Sequence, residues 1–396
     1  MGEPLTLSTT GLTAWLVTGL VIQAVVCAAQ WRHLNRLQRS GQFAGRACRY
    51  GQRRAVFQGL VFAERLARIG LWLGTGWLVV LHGLVATGGY LSGVAFAVVF
   101  AMADQALQRV LPWARWYWVE RAAGVSTTTA ATVIGDAARQ WLTQTFTAFA
   151  GAVFVLWPFY TLGSAWQWPA SGLCVVVGAG VLLWLRPQVI EPWFHRFTEL
   201  PAGDLRSRLA ALMHRCGAEL DSVLVMDTSR RSRLANAQFT GWGRRKRVVL
   251  SDTLVAQLDP AELEAVMAHE LGHFQCGHLR RYYGLQAVLL WLGWFVFGTL
   301  APSFLASTEP AFAAAGAYLL LPALAWPLSP WFAALRRRYE YEADAFAAHH
   351  AGRGALLSAL ERLFANNLGA PTMARGYALM YATHPPADRR LARLRP

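Results

Sequence analysis

Seven predominantly apolar runs, each near the length needed to cross a bilayer, leave this chain few options other than a membrane-spanning helical bundle. A helix needs roughly 20 apolar residues to cross about 30 Å of hydrocarbon. Leu12 to Trp31 meets that length, and so does Ile69 to Tyr90, whose only titratable group is His82. A third run, from Leu91 to about Leu107, carries Asp104 near its end. No charge occurs between Leu142 and Leu185, which is room for two spans split at the Gly163-to-Pro169 turn region. Tyr282 to Pro302 and Ala311 to Leu335 bring the number to seven. Composition agrees: 15% of residues are charged, against about 25% in an average soluble domain.

Arginine placement sets an orientation for these spans. The net charge of +15 is almost all arginine, Lys246 being the only lysine. Arg32 to Arg68 holds nine arginines and Arg109 to Arg139 holds more, whereas 1–10, 86–92, 161–170 and 301–310 hold no Lys or Arg. The two sets alternate across the seven spans, so the positive-inside rule puts the N-terminus outside and the C-terminus in the cytoplasm. Glu3 and the absence of a basic n-region argue against a cleaved signal peptide. The charge therefore reads as topology and headgroup contact, with no nucleic-acid partner expected. Cys27, Cys48, Cys174, Cys216 and Cys276 have no paired spacing, so no disulfide framework is expected.

Two long polar segments, Arg186 to Arg281 and Arg336 to Pro396, fall on the cytoplasmic side, and the chemistry is concentrated there. Pro260 to Arg280 reads PAELEAVMAHELGHFQCGHLR. Asp259-Pro260 is a helix start, and on that helix His269 and His273, four apart, share a face. Two imidazoles so placed suit one tetrahedral Zn²⁺, with Glu270 beside them as a proton acceptor and Gly272 leaving the backbone uncluttered. A third ligand is available in Arg336 to His350, RRRYEYEADAFAAHH. Glu340 and Asp344 share a helical face there, so one carboxylate can bind metal while the other fixes a histidine tautomer. Glu342 points elsewhere and reads as ordinary surface. His278 lies about 140° round the helix from His273 and misses the metal, leaving a role in packing or behind a ligand. His349 and His350 read as surface. His82 and Asp104 are functional suspects because intramembrane polar groups usually face a cavity, although headgroup-level burial suits Asp104 equally. Val223 to Met226, Ala235 to Thr240 and Val248 to Leu250, with Gly241-Trp242-Gly243 as a turn, form a small sheet. Its exposed edge can take an extended peptide, or Asn236 can be a turn residue capping its own backbone.

HELGH followed much later by EYEAD resembles the Ste24-type integral-membrane zinc metalloproteases, the type 1 CAAX prenyl proteases of peptidase family M48. IEPWFHRFTEL (Ile190 to Leu200), SRLANAQFTGWGRRKRVVLSDTL (Ser232 to Leu254), the NLG element at Asn366 to Gly369 and THPPADRRL (Thr383 to Leu391) extend the likeness over most of the chain. Arg336 stands where that family commonly has serine, and Glu342 where it has glutamine.

The resemblance implies one Zn²⁺ held by His269, His273 and Glu340, with Glu270 as catalytic base and Asp344 orienting a ligand histidine. It implies that Asn236 and Ala237 lie on a substrate-pairing edge strand and that His384 helps hold the oxyanion or substrate. Arg390, the basic residue after HPP, is placed with the substrate-binding residues. The expected architecture is mainly α: a seven-span integral membrane protein with a cytoplasm-facing, zincin-like catalytic domain carrying a small β-hairpin or sheet. Residues 1–185 form the membrane domain, 186–281 and 336–396 the two parts of the protease domain, and 282–335 spans six and seven. The implied partners are membrane lipid and a peptide or protein substrate, which on the CAAX resemblance is prenylated and cut to remove its last three residues. The Arg-over-Lys and Ala/Gly bias points to a GC-rich genome and favours a bacterial inner membrane over the endoplasmic reticulum, and quality-control proteolysis of the HtpX-like kind is the neighbouring activity. A transporter or scaffold with a structural metal site is the non-enzymatic alternative.

Overall fold

The computed structural model describes residues 9–43, 45–240 and 245–395. Among them, six helices are long and apolar enough to cross a membrane, or seven when one bent pair counts as a single span. The first span, α1 (Thr9–Arg39), contains the expected Leu12–Trp31 run. The second departs from expectation. Instead of one helix over Ile69–Tyr90, α2 (Gly45–Ile69) runs on through a wide helical turn at Gly70–Gly74. It then bends by 57° into the short α3 (Trp77–Val85). Gly76 at the bend has φ +79°, a left-handed conformation that side chains disfavour, so the helix cannot continue straight through it.

The segment expected as the first cytoplasmic loop is thus largely helical, and it carries Arg65 and Arg68 into the bundle. Arg68 is neutralised there by the fully buried Asp104 of α4 (Tyr90–Leu107) at 2.7 Å. Trp72 Nε1 donates to Asp104 at 2.9 Å and Gln108 Nε2 at 2.7 Å, so this buried carboxylate joins α2 and its continuation to α4. After α5 (Val110–Arg115), the uncharged run forms the C-terminal part of α6 (Ala130–Thr161) and all of α7 (Ser164–Leu185). The two helices turn at Leu162-Gly163, with Pro169 inside α7. Large apolar side chains on the outer faces of these helices, such as Leu91, Phe146, Phe154 and Trp166, are exposed. A water-facing protein would bury such residues, whereas a lipid-facing one presents them outward.

Beyond α7 the chain leaves the bundle. Strand β1 (Phe197–Glu199), not anticipated from the sequence, precedes α8 (Asp204–Arg215). Strands β2 (Glu219–Met226), β3 (Ala237–Thr240) and β4 (Arg245–Ser251) follow and complete a sheet of order β1-β2-β4-β3. β2 and β4 run parallel, while β3 pairs antiparallel with β4 and forms an outer edge. The Gly241-Trp242-Gly243 turn and residues 1–8 lie outside the described residues.

α9 (Asp252–Gln257) leads to α10 (Pro260–Gln275), and α11 (His278–Leu300) re-enters the bundle. α12 (Pro310–Leu324) and α13 (Ser329–Ala347) are separated by a tight turn at Trp326–Leu328. The expected boundary at 335/336 falls inside α13, which runs without a break from Ser329 through EYEAD. α14 (Arg353–Asn366), α15 (Arg375–Tyr381) and α16 (Ala387–Leu394) close the chain. Among the described residues the two larger cores lie one among the spans around Phe96, Phe100, Leu156, Phe312 and Leu320, and one outside them around Leu209, Leu250, Leu263, Met267 and Leu360. All five cysteines are unpaired.

Candidate active site

α10 begins where the sequence indicates. The Asp259 side chain accepts the backbone N–H of Ala261 and of Glu262, Pro260 occupies the first turn, and Glu262 reaches back to the Asp259 N–H. A cap of this kind is worth about 1 kcal/mol. The helix is then buried on almost every side, its small Ala265, Ala268 and Gly272 lying at spacings that share a face. That face meets Ala343 and Ala347 of α13 closely enough that a Cβ on Gly272 would lie 3.1 Å from the Ala343 Cα and 3.1 Å from the Phe346 Cβ. Small residues on both helices let the HELGH and EYEAD segments approach almost backbone to backbone.

The approach brings three donors together. His269 Nε2 and His273 Nε2 stand 3.3 Å apart. Glu340 Oε2 is 3.4 Å from the first and Oε1 3.4 Å from the second. In a tetrahedral site with bonds of about 2.0–2.1 Å the donor atoms stand about 3.3–3.4 Å apart. Glu340 is buried at 6% exposure, and its Oε2 lacks a hydrogen-bond partner. That oxygen has His269 Nε2 at 3.4 Å and Arg390 Nη1 at 3.5 Å, beyond good hydrogen-bond range, and a buried carboxylate so placed between imidazoles is stabilised by a shared cation. The residues present therefore fit a metal ion.

Around this triad the other side chains take distinct places. Asp344 Oδ1 is 2.9 Å from His269 Nδ1, on the far side of the ring from Nε2. His384 Nε2 is 3.4 Å from Glu340 Oε1, with a side chain 60% exposed, so it sits on the open side. Glu270 follows His269 at the half-buried margin of α10. Burial pushes its carboxyl up from the usual range, against the pull of the His269 and His273 imidazoles and Arg390. Asn236 is held by its main chain, its N–H donating to Ser251 Oγ and its carbonyl accepting the Ser251 N–H, both at 2.9 Å. Ala237 opens the edge strand β3, which packs on α10.

Arg390 differs from expectation. It is buried at 6% exposure, and its Nε and Nη2 donate to the two oxygens of Asp344, each at 2.6 Å. Its third nitrogen, Nη1, lies 3.5 Å from Glu340 Oε2, so the guanidinium bridges Asp344 and the ligand carboxylate. Glu342 is more than plain surface, because it accepts from Arg338 Nε at 2.8 Å and contacts His278 Nε2 at 3.0 Å. His82 contacts Glu309 Oε2 at 3.0 Å, and that carboxylate also caps α12, so the histidine joins spans rather than facing the metal triad.

One positioning residue was missed. Asn367 Oδ1 accepts the Ala235 N–H at 3.0 Å and its Nδ2 donates to the Ala235 carbonyl, which pins the lead-in to β3. Its place in the NLG element was the available signal, but only tertiary contact reveals the partner. A cavity of 1790 Å³ lies among α6, α7, α11, α12 and α13. It reaches Asn236 and Gln238, while the three metal donors do not line it.

A bundle of membrane spans that carries an H-E-x-x-H helix, with a third donor from a helix rooted in the last span, defines a polytopic membrane protein with a metallopeptidase-type site. Residues 199–396 match the model of peptidase family M48, and residues 45–196 match that of the CAAX prenyl protease N-terminal region with five membrane helices. The chain belongs to peptidase family M48.

Among similar proteins, the CAAX prenyl protease 1 homolog of Arabidopsis thaliana is 34% identical over 53% of this chain and 52% of its own length. The Homo sapiens homolog is 26% identical over 72% of this chain and 70% of its own. An uncharacterized metalloprotease of Bacillus subtilis is 28% identical over 65% and 62%. The match thus spans about half the length of the plant relative. The crystal structure of Ste24p from S. mikatae superposes with a TM-score of 0.84 at 21% identity, covering 97% of this chain and 98% of that one, which establishes the shared fold.

Proposed function

We propose that this protein is a membrane-embedded zinc metalloendopeptidase, a reading carried by the convergence of His269, His273 and Glu340 at separations of 3.3–3.4 Å. A zinc ion bound there supplies Lewis acidity that polarises a scissile carbonyl and lowers the pKa of water to about 7. Glu270 takes the proton from the attacking water and returns it to the leaving amine, a role suited to a carboxyl raised by burial. Asp344 holds His269 with its proton on Nδ1, so that Nε2 is free for the metal. Arg390 holds Asp344 in turn. His384, on the exposed side of Glu340, is placed to donate to a developing oxyanion. The free edge of β3, from Asn236 and Ala237, takes the substrate backbone as an added strand.

The substrate class follows from the relatives named CAAX prenyl proteases and from the cavity. Its 1790 Å³ exceeds the range of about 300–1,000 Å³ usual for small-molecule pockets. Its wall includes Val176, Leu183, Leu290 and Leu321 as well as polar groups from α6. A lipidated cysteine with its prenyl chain in this space, and its last three residues removed at the metal site, matches those features. The arginine distribution supports a cytoplasmic site with the N-terminus outside, and an inner bacterial membrane is the location that the composition favours.

Incubation with a farnesylated CAAX peptide, with and without chelator, followed by mass spectrometry of the products, tests the proposal. A chelator-sensitive cut directly after the lipidated cysteine is the expected result. Cleavage restricted to unlipidated, unfolded protein would move the assignment to quality control. Bound zinc with no cleavage of either substrate would leave a scaffold with a structural metal.

A further inference from the structure

His278 is the first residue of α11, reached through Gly277, whose left-handed φ of +67° ends α10 sharply. The reversal turns the His278 ring back onto the preceding helix, where its Nδ1 lies 3.0 Å from His273 Nδ1. The residue is buried at 2% exposure. Its other nitrogen, Nε2, is 3.0 Å from Glu342 Oε2, and the ring stacks on Tyr339 with centroids 4.2 Å apart and planes 12° from parallel. Glu342 is itself held by Arg338 Nε at 2.8 Å.

Counting protons selects one arrangement. A neutral imidazole carries a single N–H, and an ionised carboxylate only accepts. Glu342 therefore draws the His278 proton to Nε2 and leaves His278 Nδ1 bare. The contact between the two Nδ1 atoms is then a hydrogen bond only when His273 donates, with its proton on Nδ1. That leaves His273 Nε2 bare, and this is the atom that faces His269 and Glu340. In the opposite arrangement a bare His278 nitrogen would face a carboxylate and a proton would block the metal face of His273.

We infer that Glu342 and His278 act as a positioning pair that presets His273 in its metal-binding tautomer, the counterpart of Asp344 behind His269. The inference rests on the metalloprotease reading. It also ties the second histidine ligand to the membrane, because His278 heads one span and Tyr339 and Glu342 continue another.

Zinc affinity of the purified full-length protein, measured by competition with a fluorescent zinc chelator, tests the pair independently of turnover. His278→Phe keeps a flat ring on Tyr339 but removes the acceptor, and Glu342→Ala removes the group that orders it. Each should weaken zinc binding about 10–100-fold, the usual loss for a partner behind a ligand. Glu342→Gln, whose amide oxygen can still accept from His278 Nε2–H, should restore affinity to within a few-fold of wild type. Wild-type affinity in His278→Phe would reduce the ring to packing and overturn the inference, as would a Glu342→Gln protein as weak as Glu342→Ala. Should the phenylalanine variant fail to fold, Glu342→Ala carries the test, since its side chain is one-third exposed. Failure of the wild-type protein to bind zinc at all would defeat the metal reading itself, a separate outcome.

Discussion

At the residue scale, two glutamates of one site differ by what surrounds them. Glu340 points one oxygen at His273 and His384 and keeps the other without a hydrogen-bond donor, which suits a ligand. Glu270 is close enough to feel both imidazoles, yet burial raises its carboxyl, which suits a group that must accept and return a proton. Glu270→Gln should lower cleavage about 10²–10⁴-fold, the usual span of general acid–base catalysis, with metal content unchanged. Glu340→Ala should lose the metal itself. Elemental analysis beside product mass spectrometry separates the two, and normal turnover by Glu270→Gln would refute its assignment. Arg390 makes a third case. Its replacement by alanine removes the ion-pair partner of the buried Asp344 and leaves that carboxylate only its contact with His269 Nδ1, which costs about 3–5 kcal/mol. A lowered denaturation midpoint should accompany the lost activity; a variant as stable as wild type would mean that Asp344 finds another donor.

At the scale of elements, the site depends on how closely α10 and α13 approach. The Cβ that alanine adds at Gly272 meets backbone and a Cβ at 3.1 Å, neither of which can swing aside. Gly272→Ala should therefore push the helices apart, at about 1–3 kcal/mol of overpacking, and weaken zinc binding because Glu340 rides on α13. Zinc titration together with thermal denaturation measures both effects. Within the bundle, Arg68 and Asp104 join α2 to α4. Asp104→Leu, which leaves Arg68 with Glu64 as its remaining partner, should destabilise the protein by about 3–5 kcal/mol, while the double change Arg68→Leu with Asp104→Leu should recover much of that loss. Detergent unfolding of the three variants tests the coupling, and equal stability of single and double changes would remove it.

At the scale of the whole molecule, the donors come from two helices joined through a pair of membrane spans, so a bound ion links parts of the chain remote in sequence. Zinc at 100 times its dissociation constant should add about 2.7 kcal/mol to folded-state stability. Chelation should lower the melting temperature and abolish cleavage together, and restored zinc should return both.

Legibility in the sequence follows the range of the physics involved. The spans were readable because apolar length is a local property, and His269 with His273 because a spacing of four is local helix geometry. The bend inside the second span was not readable because it depends on the backbone at Gly76 and on the Arg68–Asp104 pair, which joins α2 to α4. Arg390 was grouped with the substrate contacts from its place after HPP, and its contact with Asp344 became visible only once α16 packed against α13. Glu342, Asn367 and His278 acquire their contacts only when α10, α11, α13 and the lead-in to β3 are assembled.

Hydrophobic periodicity and short-range spacing therefore determined on their own that the chain crosses a membrane several times and carries a two-histidine motif with an acid beside it. Tertiary packing decided that Glu340 meets that motif, that Asp344 and His278 stand behind its two rings, and that a large cavity reaches the edge strand. The division has a physical cause: propensity and apolar length act within a few turns of chain, whereas a metal site and the neutralisation of buried charge need atoms within a few ångströms, whatever their separation in sequence.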